Sequence, residues 1–347
     1  MKKRVAVGMS GGVDSSVAAY LLKEAGYDVV GVTMKVWKKS DVSIQKEEND
    51  AGHIASLFGI PYYIVDFQKE FQQHVIEYFV REYAAGRTPN PCIACNRYVK
   101  WEALLHKALD IGVDYIATGH YARIEKLVNG RYAVRNSVAP KKDQTYMLYR
   151  LTQQQLSHTL MPLGEYTKQD VRRIAKDAGL FVADKPDSQE ICFIEDNNYA
   201  KFVREYSGME FPAGNFVDRN GNVMGRHKGI IHYTVGQRRG LGLSLAESAY
   251  VLEIRPKENE VVLGYGQEVF AKEAVAENIN FMSREQIEDG MSVIAKIRYN
   301  HGGAPAKVYQ EGDKLRCVFD KEQRAVTPGQ ALVLYDGEYI LGGGTIL

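Results

Sequence analysis

Residues 4–26 read RVAVGMSGGVDSSVAAYLLKEAG, and this stretch decides the fold of the first half of the chain. Arg4–Gly8 is a short apolar segment that predicts a buried β-strand. Ser15–Gly26 carries apolar residues at helical spacing, which predicts an amphipathic helix. The turn between them is rich in glycine and serine. Strand, tight turn and helix in this order indicate the start of an α/β domain.

The same alternation continues through the first half of the chain. Apolar runs predict further strands at 28–34, 60–67 and 113–120, and helical periodicity lies around 49–58, 69–85 and 97–111. Strands that alternate with crossover helices predict a parallel sheet covered on both faces. Thr167 and Asp170 have the spacing of a capping box, for a helix that runs to about Gly179.

Beyond about residue 200 the pattern becomes β-rich. Turn residues are frequent, and short alternating runs occur at 250–255, 260–263, 291–299, 314–319, 331–335 and 339–341. These runs predict a small central module followed by a six-strand barrel or sandwich. We therefore expect three domains, at residues 1–199, 200–270 and 271–347.

Composition places the chain among soluble globular proteins. The 347 residues carry a net charge of +1 and only four cysteines, which excludes a disulfide scaffold. No apolar run approaches the roughly 20 residues of a membrane span. Gly8, Gly11 and Gly12 interrupt the apolar start, and no cleavage site follows, so we predict a cytoplasmic protein rather than a secreted one.

The turn at Ser10–Ser16 is the most specific local feature. Its two glycines allow a tight turn that points backbone N–H groups inward, and the following helix adds a positive N-terminal end. The lysine of a Walker loop and the G-x-G-x-x-G fingerprint are both missing from it. The loop instead resembles that of the adenylating ATP pyrophosphatases, which transfer AMP to a carbonyl oxygen and release pyrophosphate.

This resemblance implies an ATP site at the carboxyl ends of the strands. Asp14 is suited to hold Mg²⁺ against the phosphates, and its alternative role is to cap the first helix. His120, at the end of the fourth predicted strand, receives no catalytic role. The expected ATP-binding residues are Gly8, Ser10, Gly11, Gly12, Val13, Asp14, Ser15, Ser16, Met34 and Gly119.

Three cysteines lie in segments that a structural role explains poorly. Cys92 and Cys95 stand in a proline-rich loop that leads into a helix, and Cys192 lies in Asp187–Phe193. A helix N-terminus lowers the pKa of a nearby thiol, so we expect Cys95 to be reactive. The C-x₂-C spacing also suits a metal site, and a buried inert cysteine is the default for any single one.

The chain closely resembles the tRNA-specific 2-thiouridylase family. The matching segments are collinear and span nearly the whole chain: Ser10–Ser16, Thr88–Asn96, Thr118–Ala122, Asp143–Leu148, Asp187–Phe193, Gly225–Gly242, Thr327–Gln330 and Leu341–Gly344. The resemblance implies a phosphate-loop ATP-binding catalytic domain, a central tRNA-binding domain and a C-terminal β-barrel. It also implies ATP-dependent thiolation at C2 of the wobble uridine, position 34, of tRNA.

The resemblance further implies a route for sulfur. Adenylation of the C2 oxygen makes AMP the leaving group, and pyrophosphate is released. Cys192 would carry a persulfide from a donor such as a cysteine desulfurase or a sulfur relay protein. Cys95 would be the first nucleophile, or would form a transient disulfide with Cys192. Many relatives have Asp where this chain has Cys92, so Cys92, Cys95 and Cys192 as ligands of a [4Fe–4S] cluster stay an alternative.

The RNA-binding prediction rests on polar and basic groups. Seven Lys/Arg against three Asp/Glu between 200 and 240 favour contact with phosphates. By resemblance the substrates are glutamate, glutamine and lysine tRNAs. Expected contacts are Cys92, Lys141, Asp143, Gln144, Arg226, His227, Gln237, Arg238, Arg239, Arg298 and Tyr299. A small-molecule ligase of the same superfamily and a non-catalytic RNA-binding protein are the competing hypotheses, and Cys317 is predicted to be structural.

Overall fold

The computed structural model describes residues 2–37, 41–186, 191–194 and 196–347. Its α-helices, numbered in chain order, are α1 (Val13–Glu24), α2 (Asp41–Phe58), α3 (Gln68–Phe71), α4 (Glu77–Ala84), α5 (Pro91–Ala94), α6 (Leu105–Asp110), α7 (Gln153–Ser157), α8 (Lys168–Asp177) and α9 (Tyr199–Ser207). Two π-helical segments, Gln72–Ile76 and Cys95–Leu104, join α3 to α4 and α5 to α6. Short 3₁₀ turns lie at Thr145–Leu148, Ile230–His232 and Gly266–Val269.

The strands fall into three sheets. In chain order they are β1 (Arg4–Gly8), β2 (Asp28–Lys35), β3 (Tyr62–Asp66), β4 (Tyr115–Ala117), β5 (Arg123–Lys126), β6 (Tyr132–Arg135), β7 (Thr159–Leu160), β8 (Gly214–Val217), β9 (Val223–His227), β10 (Ala249–Arg255), β11 (Glu260–Tyr265), β12 (Phe270–Phe281), β13 (Met291–Lys296), β14 (Ala304–Glu311), β15 (Lys314–Arg324), β16 (Ala331–Asp336) and β17 (Tyr339–Ile346).

The first sheet is parallel and has the strand order β3-β2-β1-β4-β7. β1 lies at its centre, where Val5 pairs with Val29 of β2 on one side and Tyr115 of β4 on the other. Val5 and Val7 are fully buried, as expected for a strand covered on both faces. The predicted parallel sheet is therefore confirmed, and the two-residue strand β7 adds an edge that the apolar pattern did not indicate.

The central module is a four-stranded sheet with the order β10-β11-β8-β9. β10 and β11 form an antiparallel pair, whereas β8 runs parallel to β11, with Val261 opposite Phe216. Phe216 is fully buried and contacts the rings of His227 and Tyr233 edge-on. The module thus has its own aromatic centre, as a small separate sheet requires.

The last sheet closes into a barrel. Its six strands follow the order β12-β15-β14-β13-β16-β17, and pairing of β12 with β17 closes the ring. Closure removes the free edges of a sheet, and the predicted barrel is confirmed. The hairpin β5–β6 lies outside the ring and pairs with it where Arg135 meets Tyr339.

Among the described residues, no helix combines the length and apolar character that crossing a membrane requires.

Candidate active site

The phosphate loop is shaped by its own serines. Ser15 Oγ accepts a hydrogen bond from the Ser10 backbone N–H at 3.2 Å and donates to the Gly12 carbonyl at 3.2 Å. Ser16 Oγ donates to the same carbonyl at 2.7 Å. Gly11 has φ +65°, a conformation that favours glycine. The Ser15 and Ser16 hydroxyls, which were predicted as ligand donors, therefore also fix the backbone of the loop.

Asp14 does not cap α1 with its side chain. The N-cap is Gly12, and its extended backbone carries no side-chain hydrogen bond. The Asp14 carboxylate instead accepts a hydrogen bond from the Tyr121 hydroxyl at 2.8 Å and forms an ion pair with Lys168, with Nζ at 2.7 and 2.8 Å from its two oxygens. The prediction that Asp14 caps the first helix is therefore wrong. Its carboxylate instead binds Tyr121 and Lys168 beside the phosphate loop.

Magnesium suits this arrangement. Mg²⁺ in nucleotide sites commonly binds one or two carboxylates together with substrate phosphates. Asp14 supplies such a carboxylate, and the described residues contain no group of three or more His, Cys, Asp or Glu side chains arranged to hold a metal without a substrate. The donor set therefore fits a metal that arrives with ATP.

The strand ends bring the other predicted ATP-binding residues together. Methyl Cε of Met34 lies 3.8 Å from the position that a Cβ would occupy on Gly8. A Cβ on Gly119 would lie only 2.8 Å from Asp14 C and Ser15 N, so only glycine allows the end of β4 to pack against the start of α1. Gly8, Met34 and Gly119 thus lie around one crevice beside the phosphate loop.

Two lysines at the loop were missed from sequence. Lys168 is the first residue of α8, and Lys185 donates to the Gly11 carbonyl at 2.9 Å and to Asp50 Oδ2 at 3.0 Å. A cation at the N-terminus of a helix opposes the helix dipole. The position of Lys168 directly after the capping residue Thr167 was therefore a usable signal. Nothing comparable marks Lys185.

The two nearby cysteines lie at a helix start with unusual geometry. Asn90 caps α5, and its Oδ1 accepts a hydrogen bond from the Cys92 N–H at 3.1 Å. From Cys95 the helix continues in π form, with i→i+5 hydrogen bonds, a geometry that is rare and frequent at functional sites. Cys92 is exposed, whereas Cys95 is half-buried.

The expected lowering of the Cys95 pKa by the helix dipole is wrong. Burial raises the pKa of the Cys95 thiol to about 12, Lys100 lowers it, and the nearby Cys192 and Cys92 raise it further. Burial also raises the pKa of Cys92, which lies at the surface of a concave site and is surrounded by protein on most sides. Desolvation outweighs the dipole because Cys95 lies one turn inside the helix.

Cys192 is exposed, and its effect on the pKa of Cys95 shows that the two thiols are neighbours. Residues 187–190 of the predicted motif lie outside the described residues. Cys317 is fully buried on β15 in the barrel core, as expected for a structural cysteine.

One segment links the phosphate loop to the cysteines. Gln144 Oε1 accepts a hydrogen bond from the backbone N–H of Tyr121, whose hydroxyl binds Asp14. Three residues further on, the Met147 carbonyl accepts from Asn96 Nδ2 at 3.1 Å. Residues 143–148 therefore connect the two halves of the site, and the predicted RNA contact Gln144 has its side-chain oxygen engaged in this connection.

His120 lies buried between these halves. Its Nδ1 is 2.7 Å from Thr118 Oγ1, and its ring lies 5.4 Å from the ring of Trp101. Burial, with a smaller effect of Lys100, holds its pKa well below the usual value. His120 is therefore a neutral side chain packed between the two halves of the site.

The barrel and the central module both contact the cysteine loop. The Thr88 N–H donates to the Pro328 carbonyl at 2.8 Å, and Gln330 Nε2 donates to the Thr88 carbonyl at 2.8 Å. Thr88 Oγ1 lies 3.2 Å from Thr234 Oγ1 of the central module. Three parts of the chain therefore meet at one residue, four positions before Cys92.

The predicted RNA contacts occupy different environments. Asp143 accepts hydrogen bonds from the Ser137 and Thr145 N–H groups, and it raises the pKa of Tyr299 after the larger effect of burial. His227 is 2% exposed, and its two ring nitrogens bind the Asn259 carbonyl and the Gly229 N–H, so it belongs to the core of the central module. Exposed positions are Lys141, Arg226, Arg238 and Arg239.

A basic cleft lies between the central module and the barrel. Its volume is about 690 Å³, and its polar lining consists of Gln237, Arg238, Arg239, Tyr250 and Arg324. The guanidinium of Arg324 lies over the ring of Tyr250 at 5.0 Å. Arg298 donates to the Arg324 carbonyl at 2.9 Å, and burial together with Arg324 lowers its pKa. Arg324 was not among the residues selected from sequence.

These features define a phosphate-loop nucleotide-binding α/β protein with two appended β modules. Three family models match it in succession, described as a tRNA methyl transferase HUP domain over residues 3–196, a tRNA methyl transferase PRC-barrel domain over 200–265 and an aminomethyltransferase beta-barrel domain over 271–346.

Relatives of known name identify the family. A tRNA-specific 2-thiouridylase MnmA of Lachnoclostridium phytofermentans is 59% identical over 99% of both chains. Another, of Acetivibrio thermocellus, is 54% identical over 99% of both. The chain therefore belongs to the tRNA-specific 2-thiouridylase MnmA family. A solved complex of a 4-thiouridine synthetase with RNA and ATP has a TM-score of 0.39 and 17% identity over 58% of this chain and 50% of its own, a likeness too low to support an inference.

Proposed function

We propose that this enzyme adenylates the C2 oxygen of the wobble uridine of tRNA and replaces that oxygen with sulfur carried by Cys192. The observation that carries the proposal is the single site formed by an ATP-type phosphate loop and a pair of neighbouring cysteines, joined by residues 143–148. A small-molecule ligase would have no use for that pair. A non-catalytic RNA-binding protein would need neither the phosphate loop nor the cysteine pair. We also propose that the catalytic domain spans residues 1–199, the central domain 200–270 and the barrel 271–347.

The phosphate loop performs the first step. Its N–H groups and the start of α1 hold the phosphates of ATP, and Mg²⁺ held by Asp14 would neutralise phosphate charge. The uridine O2 attacks the α-phosphorus, and pyrophosphate leaves with the electron pair of the broken bond. The bound AMP then makes C2 an electrophile whose oxygen can depart.

The cysteines perform the second step. A donor protein of the cysteine desulfurase or sulfur relay type loads Cys192, which is exposed and can be reached. The terminal sulfur of the persulfide attacks C2, and AMP is expelled. The Cys95 thiolate then attacks the inner sulfur, so that a Cys95–Cys192 disulfide forms and the outer sulfur stays on the base. A reductant of the dithiol class restores both thiols.

The RNA surface combines the site mouth with the basic cleft. Asp143 and Cys92 both raise the pKa of Tyr299 of the barrel after the larger effect of burial, and this supports a site mouth between the catalytic domain and the barrel. We assign the tRNA backbone to Lys141, Arg226, Arg238, Arg239 and Arg298, with Arg324 added. The target base would be flipped out towards Cys92 and Gln144. The glutamate, glutamine and lysine tRNAs are the expected substrates.

Cys192→Ser tests the sulfur route. We expect this variant to lose thiolation of unmodified tRNA while its tRNA-dependent exchange of pyrophosphate into ATP stays within about threefold of the parent. The matched control Cys317→Ala, in the barrel core, should thiolate at a near-parental rate. Normal thiolation by Cys192→Ser would remove Cys192 from the mechanism.

Iron and sulfide analysis of anaerobically purified protein, assayed for thiolation at the same time, distinguishes the persulfide route from the iron–sulfur cluster alternative. The described residues do not present the three cysteines as a metal-holding group, so we route no step through a [4Fe–4S] cluster. Thiolation without bound iron supports the persulfide. Activity that rises and falls with iron and sulfide content would replace it with a cluster on Cys92, Cys95 and Cys192.

A further inference from the structure

The sulfur route described above uses two thiols and gives the third one, Cys92, no part in sulfur chemistry. Cys92 is exposed, whereas Cys95 is half-buried. Both lie on one helical run, in which the Cys95 N–H donates to the carbonyls of Pro91 and Cys92. Their C-x₂-C spacing is that of thiol–disulfide redox pairs. Cys92 is therefore an accessible thiol placed next to the less accessible Cys95.

Helical geometry sets the distance between these two cysteines. Residues three apart in an α-helix have Cα atoms about 5 Å apart, within the roughly 4.4–6.8 Å that a disulfide spans. Cys92 lies in α5, and Cys95 follows as its C-cap with helical backbone angles, φ −59° and ψ −46°. A bridge between them therefore requires rotation of side chains and no movement of the backbone. A Cys95–Cys192 bridge must instead hold two distant segments of the chain together.

Cys95 is the thiol that the other two share. After the dominant effect of burial and the opposing effect of Lys100, Cys192 and Cys92 both raise its pKa, so both thiols lie beside it. When Cys95 and Cys192 are joined after thiolation, the Cys95 sulfur is thus within reach of Cys92. Attack on that sulfur expels the exposed Cys192. Attack on the Cys192 sulfur would expel Cys95, whose pKa of about 12 makes it a poor leaving group.

We propose that Cys92 resolves the Cys95–Cys192 disulfide by forming a Cys92–Cys95 disulfide, and so releases Cys192 for reloading. The inference rests on the sulfur transfer proposed above and adds a third catalytic thiol to it. The Cys92 thiolate attacks the Cys95 sulfur, and the Cys95–Cys192 bond breaks with its electron pair on Cys192. Cys92 loses its proton to water and Cys192 gains one from water, so the number of disulfides is unchanged. The dithiol reductant then acts on the Cys92–Cys95 bond.

Disulfide mapping of the iron-free full chain, without tRNA or ATP, tests the direction of the exchange. One equivalent of diamide forms a single disulfide, and after equilibration at pH 8 the free thiols are blocked with N-ethylmaleimide and the peptides are identified by mass spectrometry. We expect Cys92–Cys95 in most of the oxidised chains, with Cys192 alkylated. A final population held mainly as Cys95–Cys192 or as Cys92–Cys192 would overturn the proposal. Cys317, fully buried in the barrel, should remain a thiol throughout.

Two serine variants identify the attacking thiol in the same assay. Cys92→Ser should keep the disulfide at Cys95–Cys192, so that Cys192 is no longer alkylated. Cys192→Ser should still form Cys92–Cys95, which reports an intact helical pair. Failure of Cys192→Ser to form this bond would show that the helix does not allow it, and the exchange would then be excluded.

A single turnover without added reductant connects the exchange to thiolation. Protein whose Cys192 carries a persulfide is mixed with ATP, Mg²⁺ and unmodified tRNA, and Cys192 is alkylated once thiouridine has formed. Per thiouridine formed, at least tenfold more Cys192 should be free in the parent than in Cys92→Ser, a ratio that corrects for any effect of Cys92 on tRNA binding. Equal amounts would contradict a resolving role. A parent that forms no thiouridine would refute the proposed function, and the tRNA-free mapping would still decide the exchange.

Discussion

At the scale of single residues, the Cys95 thiol is protonated at neutral pH. Burial outweighs both the helix start and Lys100, and the resulting pKa of about 12 leaves Cys95 as a thiol at neutral pH. A thiol is a poor nucleophile, so the resting site is protected from adventitious oxidation. Lys100, whose ammonium lies 3.0 Å from Asn96 Oδ1, is the residue that lowers this pKa.

The alkylation rate of Cys95 checks this protonation state. In a Cys92→Ser background, carbamidomethylation of Cys95 should rise about tenfold per pH unit from pH 7 to 10, because only the thiolate reacts. Lys100→Met should slow the reaction, since it removes the charge that favours the thiolate. Lys107→Met, an exposed lysine in α6, is the control. A rate that levels off below pH 9 would contradict a raised pKa.

At the scale of elements, the sequence predicted the strands whose side chains are bulky. β1 was predicted to its exact bounds, and β2, β13 and β15 were placed at their start. β12 was missed because its run FAKEAVAENINF is rich in alanine and glutamate, residues that favour helices. β14 was missed because it contains Pro305 and small residues, although its alternating burial is clear. In both, barrel closure overrides the local preference.

The candidate site also contains some residues that the sequence could predict and others that only the fold brings into place. Glycine and cysteine positions were predictable, because close approach and thiol chemistry demand those residue types. Lys185 and Arg324 were not, since a lysine or arginine in isolation is most often a solvated charge and only the fold places these two beside Gly11 and Tyr250. These contacts join residues that are far apart in the sequence, so a local sequence pattern could not predict them.

The contact between the barrel and the cysteine loop yields a prediction at this scale. Gly329 has φ +87°, and a Cβ there would lie 2.9 Å from Thr88 N. Gly329→Ala should therefore displace the barrel from the cysteine loop, lower thiolation at least tenfold and speed alkylation of Cys95. Gly337→Ala is a matched control, because Gly337 has φ +60° with open space around it. Both variants carry a similar backbone cost of about 1–2 kcal/mol.

Melting temperatures and ATP binding distinguish displacement of the cysteine loop from a general loss of stability. Both alanine variants should melt at similar temperatures and bind ATP as the parent does, because neither glycine approaches the phosphate loop. If Gly337→Ala lost as much thiolation as Gly329→Ala, strain in the barrel rather than displacement of the loop would be the explanation.

At the scale of the whole molecule, direct contacts join the barrel to the catalytic domain. Arg135 of β6 binds Glu338 of the barrel at 2.6 Å, and Asn280 of β12 donates to the Tyr149 carbonyl at 2.6 Å. These contacts fix the barrel against the catalytic domain. The basic cleft between the central module and the barrel is the surface to which we assign part of the tRNA backbone.

The cleft arginines should set the salt dependence of tRNA binding. Arg238 and Arg239 are exposed, and neither forms a salt bridge with any residue that the structure describes, so both are available to phosphates. Each phosphate contact releases counterions, and losing one reduces the slope of log affinity against log salt by about 1. Arg238→Gln/Arg239→Gln should therefore reduce this slope by about 2 and weaken binding most at low salt. Arg316→Gln, whose parent arginine is paired with Glu311 and Glu273, should leave the slope unchanged. An unaltered slope in the double variant would place the tRNA backbone elsewhere, and the cleft would then have no part in holding it.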